Sequence, residues 1–254
     1  MPQPGEFGDA TMLANGNIVF SRYGGASEVT PNHDIVWNFD APAGTEIHTC
    51  QPLSEHHVFL MLNAVPASAV IIDMRDNSVC RRLTIPTAGT NTHMMFRHCR
   101  YTGAGTFLIA HMDSDRVTEY DADGAELWSV EVFEPWAAVR LANGNTLISG
   151  NRHGYVREVS PAGEVAWEFD RTDAQAVGLT PHTIQRTQRL ANGNTVVADW
   201  NAGPGSAAPG SSASPGDIAQ LFEVTPDKRF VWLLAEWSSP KSGACQRLPA
   251  AGSR

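Results

Sequence analysis

Short runs of apolar residues, separated by turn residues, recur along the whole chain. No stretch shows a sustained helical spacing of apolar positions, so the pattern predicts strands throughout. In the fourth of the repeats defined below, we predict strands over residues 136–141, 146–150, 155–160 and 165–169. Asn-Gly pairs separate two such runs and predict hairpins, because both turn residues must tolerate positive φ.

The strand pattern belongs to a repeat that two sequence markers define. Leu-Ala-Asn-Gly-Asn occurs at Leu13–Asn17, Leu141–Asn145 and Leu190–Asn194. A Glu-to-Trp unit starts at positions 28, 119, 158 and 223, and a degenerate copy starts at 71, where Cys80 replaces the Trp. These starts are 43, 48, 39 and 65 residues apart. Four antiparallel strands repeating at this period are typical of a β-propeller blade.

We therefore predict an all-β protein, a single β-propeller domain built from four-stranded antiparallel blades. Five blades are visible, and we expect them to form an incomplete six-bladed ring, with 237–254 as a tail or partial blade. The Trp that ends each unit is expected to pack between neighbouring blades. Residues 202–216 contain only Ala, Gly, Pro and Ser, and predict a flexible insertion. The blades are predicted at about 7–40, 46–85, 92–133, 135–170 and 181–236.

Composition narrows the classes of function. The hydrophobic fraction of 42% permits a substantial core and excludes a disordered acidic chain. A net charge of −9 makes nucleic acid a poor partner, and no apolar run is long enough to predict a membrane span. The first ten residues, MPQPGEFGDA, do not resemble a signal peptide, which leaves the localisation unknown. The four cysteines lack zinc-site spacing; buried free thiols are favoured over one disulfide, and no metal site is assigned.

The predicted topology brings distant loops to one face. If strands A to D run outward from the ring axis, the B–C and D–A connections of every blade emerge together, at what we call the mouth. Five residues before the end of strand A lie His48, Arg97, Trp136 and Gln185. The connections that reach the mouth also deliver His48, His93 and His182, which are candidate site residues. The candidate ligand-binding residues are Arg22, Asn63, Arg97, His111, Trp136, Asn151, His153 and Trp200.

The repeated unit RLANGNTLIS, followed by GYVREVSPAGEVAWEF, resembles bacterial propellers of the arylsulfotransferase and pyrroloquinoline-quinone-like repeat groups. The stretches WNFDAPAGTEIHTCQPL and PWAAVRLANGNTLISGN are similar to an uncharacterised branch of that grouping, and the likeness spans about residues 10–236. In the sulfotransferase relatives, a channel histidine accepts the sulfuryl group and passes it to a phenol. The resemblance implies that role for His48, His93 or His182, with Arg22, Arg97 and Asn151 holding sulfate oxygens.

Three functions stay open at this point. The leading hypothesis is a module that binds a small molecule or a protein partner at a mouth lined by His and Trp. The alternative is an arylsulfotransferase-like enzyme, and a second alternative is a structural interaction module. Quinone-dependent relatives need a larger ring and a calcium-binding acidic site that the chain does not visibly supply, so we expect no cofactor.

Overall fold

The computed structural model describes residues 7–150, 152–200 and 219–235. In this part of the chain, five four-stranded antiparallel sheets each keep their strands in chain order. Among the described residues the fold is a β-propeller of five blades, which confirms the predicted all-β class and the four-stranded blades. The expected sixth, incomplete blade stays a prediction, because it falls outside the described residues. The predicted insertion at 202–216 and the predicted tail or partial blade at 237–254 lie outside the described residues.

Each blade is formed by four consecutive strands of the chain. Two short helices precede the first strands of blades three and five. The helices are α1 (Thr92–Met95) and α2 (Arg171–Ala176). The strands are, blade by blade, β1 (Phe7–Met12), β2 (Ile18–Arg22), β3 (Gly25–Val29), β4 (Ile35–Asp40); β5 (Glu46–Pro52), β6 (His57–Asn63), β7 (Ala67–Asp73), β8 (Val79–Ile85); β9 (Arg100–Tyr101), β10 (Phe107–His111), β11 (Arg116–Tyr120), β12 (Glu126–Glu131); β13 (Pro135–Arg140), β14 (Thr146–Gly150), β15 (Tyr155–Val159), β16 (Val165–Phe169); and β17 (Ile184–Arg189), β18 (Thr195–Asp199), β19 (Leu221–Val224), β20 (Phe230–Leu234).

The Asn-Gly turns join strands A and B, but with a geometry other than the one we predicted. Only the glycine adopts positive φ, for example +87° at Gly144. The asparagine instead uses its side chain, since Asn143 Oδ1 accepts the backbone N–H of Asn145 at 3.0 Å. This combination closes a type I turn with a glycine bulge, so a single left-handed residue suffices.

Four apolar clusters fill the junctions between successive blades, each drawing buried residues from the two neighbouring sheets. The Trp residues that end the repeats lie at three of these junctions. Their indole N–H groups donate to the next blade: Trp37 to Asn77 at 2.8 Å, Trp128 to the carbonyl of Pro161 at 3.0 Å, and Trp167 to that of Pro226 at 2.8 Å. The expected packing between blades is confirmed for these three.

Ion pairs reinforce two junctions and the centre of the ring. Arg140 pairs with Glu119, and Arg189 pairs with Glu158 at 2.7 Å, each arginine reaching back to the preceding blade. At the centre, Arg186 of β17 pairs with Asp9 of β1 at 3.0 Å, so the last blade meets the first. Cys50 and Cys99 are buried free thiols, as predicted, while Cys80 is an exposed one.

Candidate functional site

A β-bulge recurs at one position in the innermost strand of the blades. In β5 the bulge residue is His48, and in β13 it is Trp136. In β1 and β17 the register shifts across Gly8–Asp9 and Gln185–Arg186. A bulge adds one residue to a strand and turns a side chain away from the regular alternation. Four of the five described blades therefore present one extra side chain at equivalent positions of their inner strands.

The bulge at His48 belongs to a compact polar cluster, which we call the Glu46 cluster: Tyr23, Glu46, His48, Thr92 and His93. Glu46 Oε2 lies 2.9 Å from His48 Nε2 and 3.0 Å from His93 Nδ1. The other oxygen, Oε1, accepts the hydroxyl groups of Tyr23 at 2.6 Å and Thr92 at 3.0 Å. One carboxylate thus collects four side chains from blades one and two and from the segment that leads into blade three.

Local structure explains why these five residues meet. Glu46 and His48 start the A strand of blade two, while Tyr23 lies in the B–C connection of blade one. His93 lies on α1, whose first turn is capped by Asn91. Asn63, at the end of β6, donates from Nδ2 to the carbonyls of Thr92 and Phe96, both at 2.9 Å, and so holds α1 against blade two.

The electrostatics of the cluster keep Glu46 ionised. Burial raises the pKa of this carboxyl group, but the hydrogen bonds from His48, Tyr23, His93 and Thr92 together outweigh that effect and hold it well below its usual range. The side chains of Glu46 and His48 are 5% and 2% exposed, whereas His93 is 44% exposed. The cluster is therefore an anionic group reached from solvent past His93.

Glu46, His48 and His93 also form a possible metal-ligand set, since their three ligand atoms lie within 4.8 Å of one another. A second such set, His57, Asp73 and Cys80, lies on blade two. There the Arg75 guanidinium holds Asp73, with Nη2 2.5 Å from Oδ2, and Cys80 is exposed. Sequence reasoning assigned no metal site at either place.

Comparisons with known proteins identify the fold. No protein-family profile and no curated sequence matches the chain. The structure is similar to that of a protein of unknown function from Bacteroides caccae, with a TM-score of 0.80 and 21% identity over 93% of this chain and 84% of that one. It is also similar to a catalytically inactive virginiamycin B lyase from Staphylococcus aureus with quinupristin, with a TM-score of 0.62 and 12% identity over 94% of this chain and 72% of that one. At these identities the likeness shows a β-propeller and nothing finer.

The finer resemblance to the arylsulfotransferase and quinone-like repeat groups receives no support from a family or a sequence match. Among the described residues, no helix is long and apolar enough to cross a membrane.

The structure brings two of the predicted catalytic histidines together and places the third elsewhere. The rings of His48 and His93 meet edge to face, with centroids 5.5 Å apart. His182 lies beside blade five, where its backbone N–H donates to both carboxylate oxygens of Asp199, at 3.0 and 2.9 Å. Burial raises the pKa of Asp199, and these backbone bonds offset the rise only in part.

Three other predicted site residues make contacts away from the Glu46 carboxylate. Arg97 lies over the ring of Trp136 at 5.0 Å, which joins the segment between α1 and β9 to the inner strand of blade four. His111 is buried, with Nε2 3.2 Å from the Tyr120 hydroxyl, and burial lowers its pKa to about 4. His153 packs on Phe133, with ring centroids 4.2 Å apart.

Arg22 pairs with Asp40 at 2.5 Å within blade one, and its nearest described partners belong to that blade. The backbone N–H of Trp200 donates to the carbonyl of Thr183 at 2.9 Å. Asn63 positions α1, as described above, and Asn151 lies outside the described residues. Asn63 is paired with Glu46 across β5 and β6, so it lies beside that carboxylate, whereas the described side-chain partners of Arg22 all belong to blade one.

Sequence reasoning missed two acidic residues that organise the inner strands. Glu46 stands two residues before His48, and this Glu-x-His spacing on one strand was a signal that could have assigned it to the site. Asp9 offers no comparable signal. Its Oδ1 lies 3.1 Å from His98 Nε2 and 3.0 Å from Arg186 Nη1, while Oδ2 lies 2.8 Å from Arg100 Nη1. We call Asp9, His98, Arg100 and Arg186 the Asp9 cluster.

Proposed function

We propose that the protein binds a small molecule at the Glu46 cluster, and that the bound group is cationic or rich in hydrogen-bond donors. The observation that carries this proposal is the ionised, buried Glu46 carboxylate beneath the half-exposed His93 ring. A buried anion that is reached from solvent attracts a complementary ligand more strongly than an exposed one, because less water screens it.

The partners of Glu46 support a cationic ligand rather than an anionic one. In the described part of the chain, they are two imidazoles and two hydroxyl groups, and none is a guanidinium or ammonium group. Arginines near the inner strands have other contacts: Arg100 and Arg186 pair with Asp9, and Arg97 lies over Trp136. The net charge of the described cluster is therefore negative when its imidazoles are neutral.

Aromatic rings surround the Glu46 carboxylate. The Tyr23 ring lies 6.2 Å from that of His48 and 6.3 Å from that of His93, measured between centroids, so three rings surround one carboxylate. Aromatic faces attract organic cations through their quadrupole, with about 0.5–2 kcal/mol per contact. A small organic amine fits both features.

The test is thermal stabilisation of the full chain by small organic amines, with matched neutral and sulfated compounds of similar size. Ligand binding to the folded state raises the melting temperature, by an amount that grows with ligand concentration. We expect amines to stabilise the wild type and not Glu46→Gln. Stabilisation of Glu46→Gln equal to that of the wild type, or stabilisation by sulfated compounds alone, would overturn the proposal.

One observation favours a second candidate, a histidine-based enzyme such as an arylsulfotransferase-like transferase. The contact of His48 Nε2 with the Glu46 carboxylate orients this imidazole, as a carboxylate does for a catalytic histidine. Release of a phenol from an aryl sulfate, lost in His48→Asn or His93→Asn and kept in His182→Asn, would support this candidate. No release from any aryl sulfate donor would exclude it.

A further inference from the structure

We propose that Glu46 Oε2, His48 Nε2 and His93 Nδ1 bind one divalent first-row transition-metal ion with octahedral preference. The inference deepens the proposed function and rests on the same site, because it names the cation that the carboxylate attracts. The three ligand atoms already lie within 4.8 Å of one another. Two imidazole nitrogens and one carboxylate oxygen are a donor set that such ions favour.

The distances within the set indicate the coordination geometry. Oε2 of Glu46 lies 2.9 Å from one ligand nitrogen and 3.0 Å from the other. Neighbouring ligands of an octahedral ion with bonds of about 2.1 Å are about 3.0 Å apart, whereas those of a tetrahedral ion are about 3.4 Å apart. The observed spacing is compatible with adjacent octahedral positions, and the absorption spectrum of bound Co²⁺ tests that assignment.

The surroundings of the carboxylate support the same assignment. Tyr23 and Thr92 donate to Oε1, at 2.6 and 3.0 Å, and so direct Oε2 towards the two imidazoles. Partners of this kind orient metal ligands, and their loss commonly weakens binding about 10–100-fold. Ion binding replaces the two contacts between imidazole and Oε2, and any proton on those ring nitrogens is released.

The Glu46 cluster can be reached from solvent, and it can be compared with the second possible metal-ligand set of the protein. His93 is 44% exposed, so an ion can reach the buried oxygen past this ring. The His57, Asp73 and Cys80 set also offers three ligand atoms, one of them a sulfur, but Arg75 donates to both oxygens of Asp73, at 2.9–3.2 Å from Nε and 2.5 Å from Nη2. An ion there must displace a guanidinium, so we expect the Glu46 cluster to bind first.

The experiment uses the full chain, freed of metal by a chelator and titrated with Co²⁺ in a calorimeter and a spectrophotometer. We expect one tight equivalent with the weak visible absorption of six-coordinate Co²⁺. His93→Ala should weaken binding about 100-fold or more, since a lost ligand costs at least as much as a lost supporting contact. Glu46→Gln should do the same, and Tyr23→Phe should weaken binding about 10-fold.

Two control variants separate this site from the rest of the chain. His56→Ala removes an exposed imidazole from the opposite end of the blade, and Cys80→Ser removes a ligand from the second set. Both should keep the tight equivalent. His93→Ala removes a half-exposed ring, so its fold, checked by circular dichroism, should persist.

Each outcome has a defined meaning. An absence of tight Co²⁺ binding overturns the proposal, and so does a tight equivalent kept by both His93→Ala and Glu46→Gln. Intense tetrahedral absorption overturns the octahedral assignment. Because the titration contains no organic ligand, it can succeed while the amine screen fails. The reverse result, amine binding without Co²⁺ binding, leaves the proposed function standing and removes the metal.

Discussion

Two buried carboxylates near the inner strands both have a lowered pKa, but their partners differ. The side chain of Asp9 is fully buried, and its partners are two arginines and His98. Burial raises the pKa of Asp9, but Arg100, His98 and Arg186 outweigh it and hold the pKa far below its usual value. Glu46 is ionised as well, but its described partners are imidazoles and hydroxyl groups.

The difference in partners separates a structural role for Asp9 from the binding role that we propose for Glu46. The arginines around Asp9 carry permanent charge and come from blades three and five, while Asp9 comes from blade one, so the Asp9 cluster joins three blades. Its carboxylate needs no external cation. The described partners of Glu46 include no permanently charged cation, and the half-exposed His93 lies beside its carboxylate. Both features suit a ligand that exchanges with solvent.

The largest expected effect is on folding. Asp9→Asn leaves Arg100 and Arg186 without their buried anion, and should lower the free energy of unfolding by about 3–5 kcal/mol. Urea denaturation at neutral pH measures the loss. The control is Asp40→Asn, whose carboxylate is 77% exposed and pairs with Arg22, and which should change stability by less than about 1 kcal/mol. Equal losses in the two variants would contradict the structural role of Asp9.

The next effect is a loss of stability in acid. Burial, followed by Arg100, lowers the pKa of His98 to about 3, and burial lowers that of His111 to about 4. In the unfolded chain both titrate near pH 6.5, so the unfolded state takes up protons first as pH falls. The stabilising contribution is complete above about pH 6.5 and is lost progressively below it, at up to about 1.4 kcal/mol per pH unit for each histidine.

Urea denaturation between pH 7.5 and 4.5 tests whether the free energy of unfolding falls in acid. This range spans the histidine pKa of about 6.5 in the unfolded chain. His111→Phe removes one of the two buried imidazoles and should flatten the acid slope. A slope identical to that of the wild type would contradict the neutral state assigned to His111.

A smaller effect is expected at the second carboxylate. Glu46→Gln keeps an oxygen for Tyr23 and Thr92 but places an amide against the imidazoles, and should lower the free energy of unfolding by about 2 kcal/mol. The loss should be smaller than that of Asp9→Asn, because no buried arginine loses its partner. A larger loss than for Asp9→Asn, measured in urea, would reverse the roles assigned to the two clusters.

The smallest effect is expected from the outer support of Glu46. Tyr23→Phe removes one hydroxyl donor at 2.6 Å and should lower the free energy of unfolding by about 0.5–1.5 kcal/mol. Thermal denaturation with and without Co²⁺ measures this loss and any loss of ion-induced stabilisation together. Unchanged values in both conditions would show that Tyr23 does not hold the carboxylate.

Much of the fold could be predicted because propeller blades are local. The predicted strand 146–150 is β14, and the predicted 165–169 is β16. Each blade is made of consecutive hairpins, so the strand pattern and turn residues specify it without distant contacts. The Trp at the end of each unit indicated the junctions for the same reason, since a repeated sequence places it at the same point of every blade.

The candidate site was only partly predictable. The register of the repeat placed His48 near the axis and His93 on the same face, and the structure brings them together around Glu46. His111 follows the same rule of connectivity but is buried against Tyr120. Connectivity assigns a residue to one end of a blade, whereas the direction of its side chain depends on bulges and on neighbouring packing.

The sequence by itself determined the repeat, the antiparallel blades and the end of each blade at which the histidines lie, because hairpins and turns depend on neighbouring residues. Tertiary structure alone decided the partners of Asp9, which stand 89 and 177 residues away at His98 and Arg186. It also decided that Glu46 has two imidazoles around one oxygen. Contacts between inner strands depend on how the blades are arranged around the axis, and no local pattern in the chain encodes that distance.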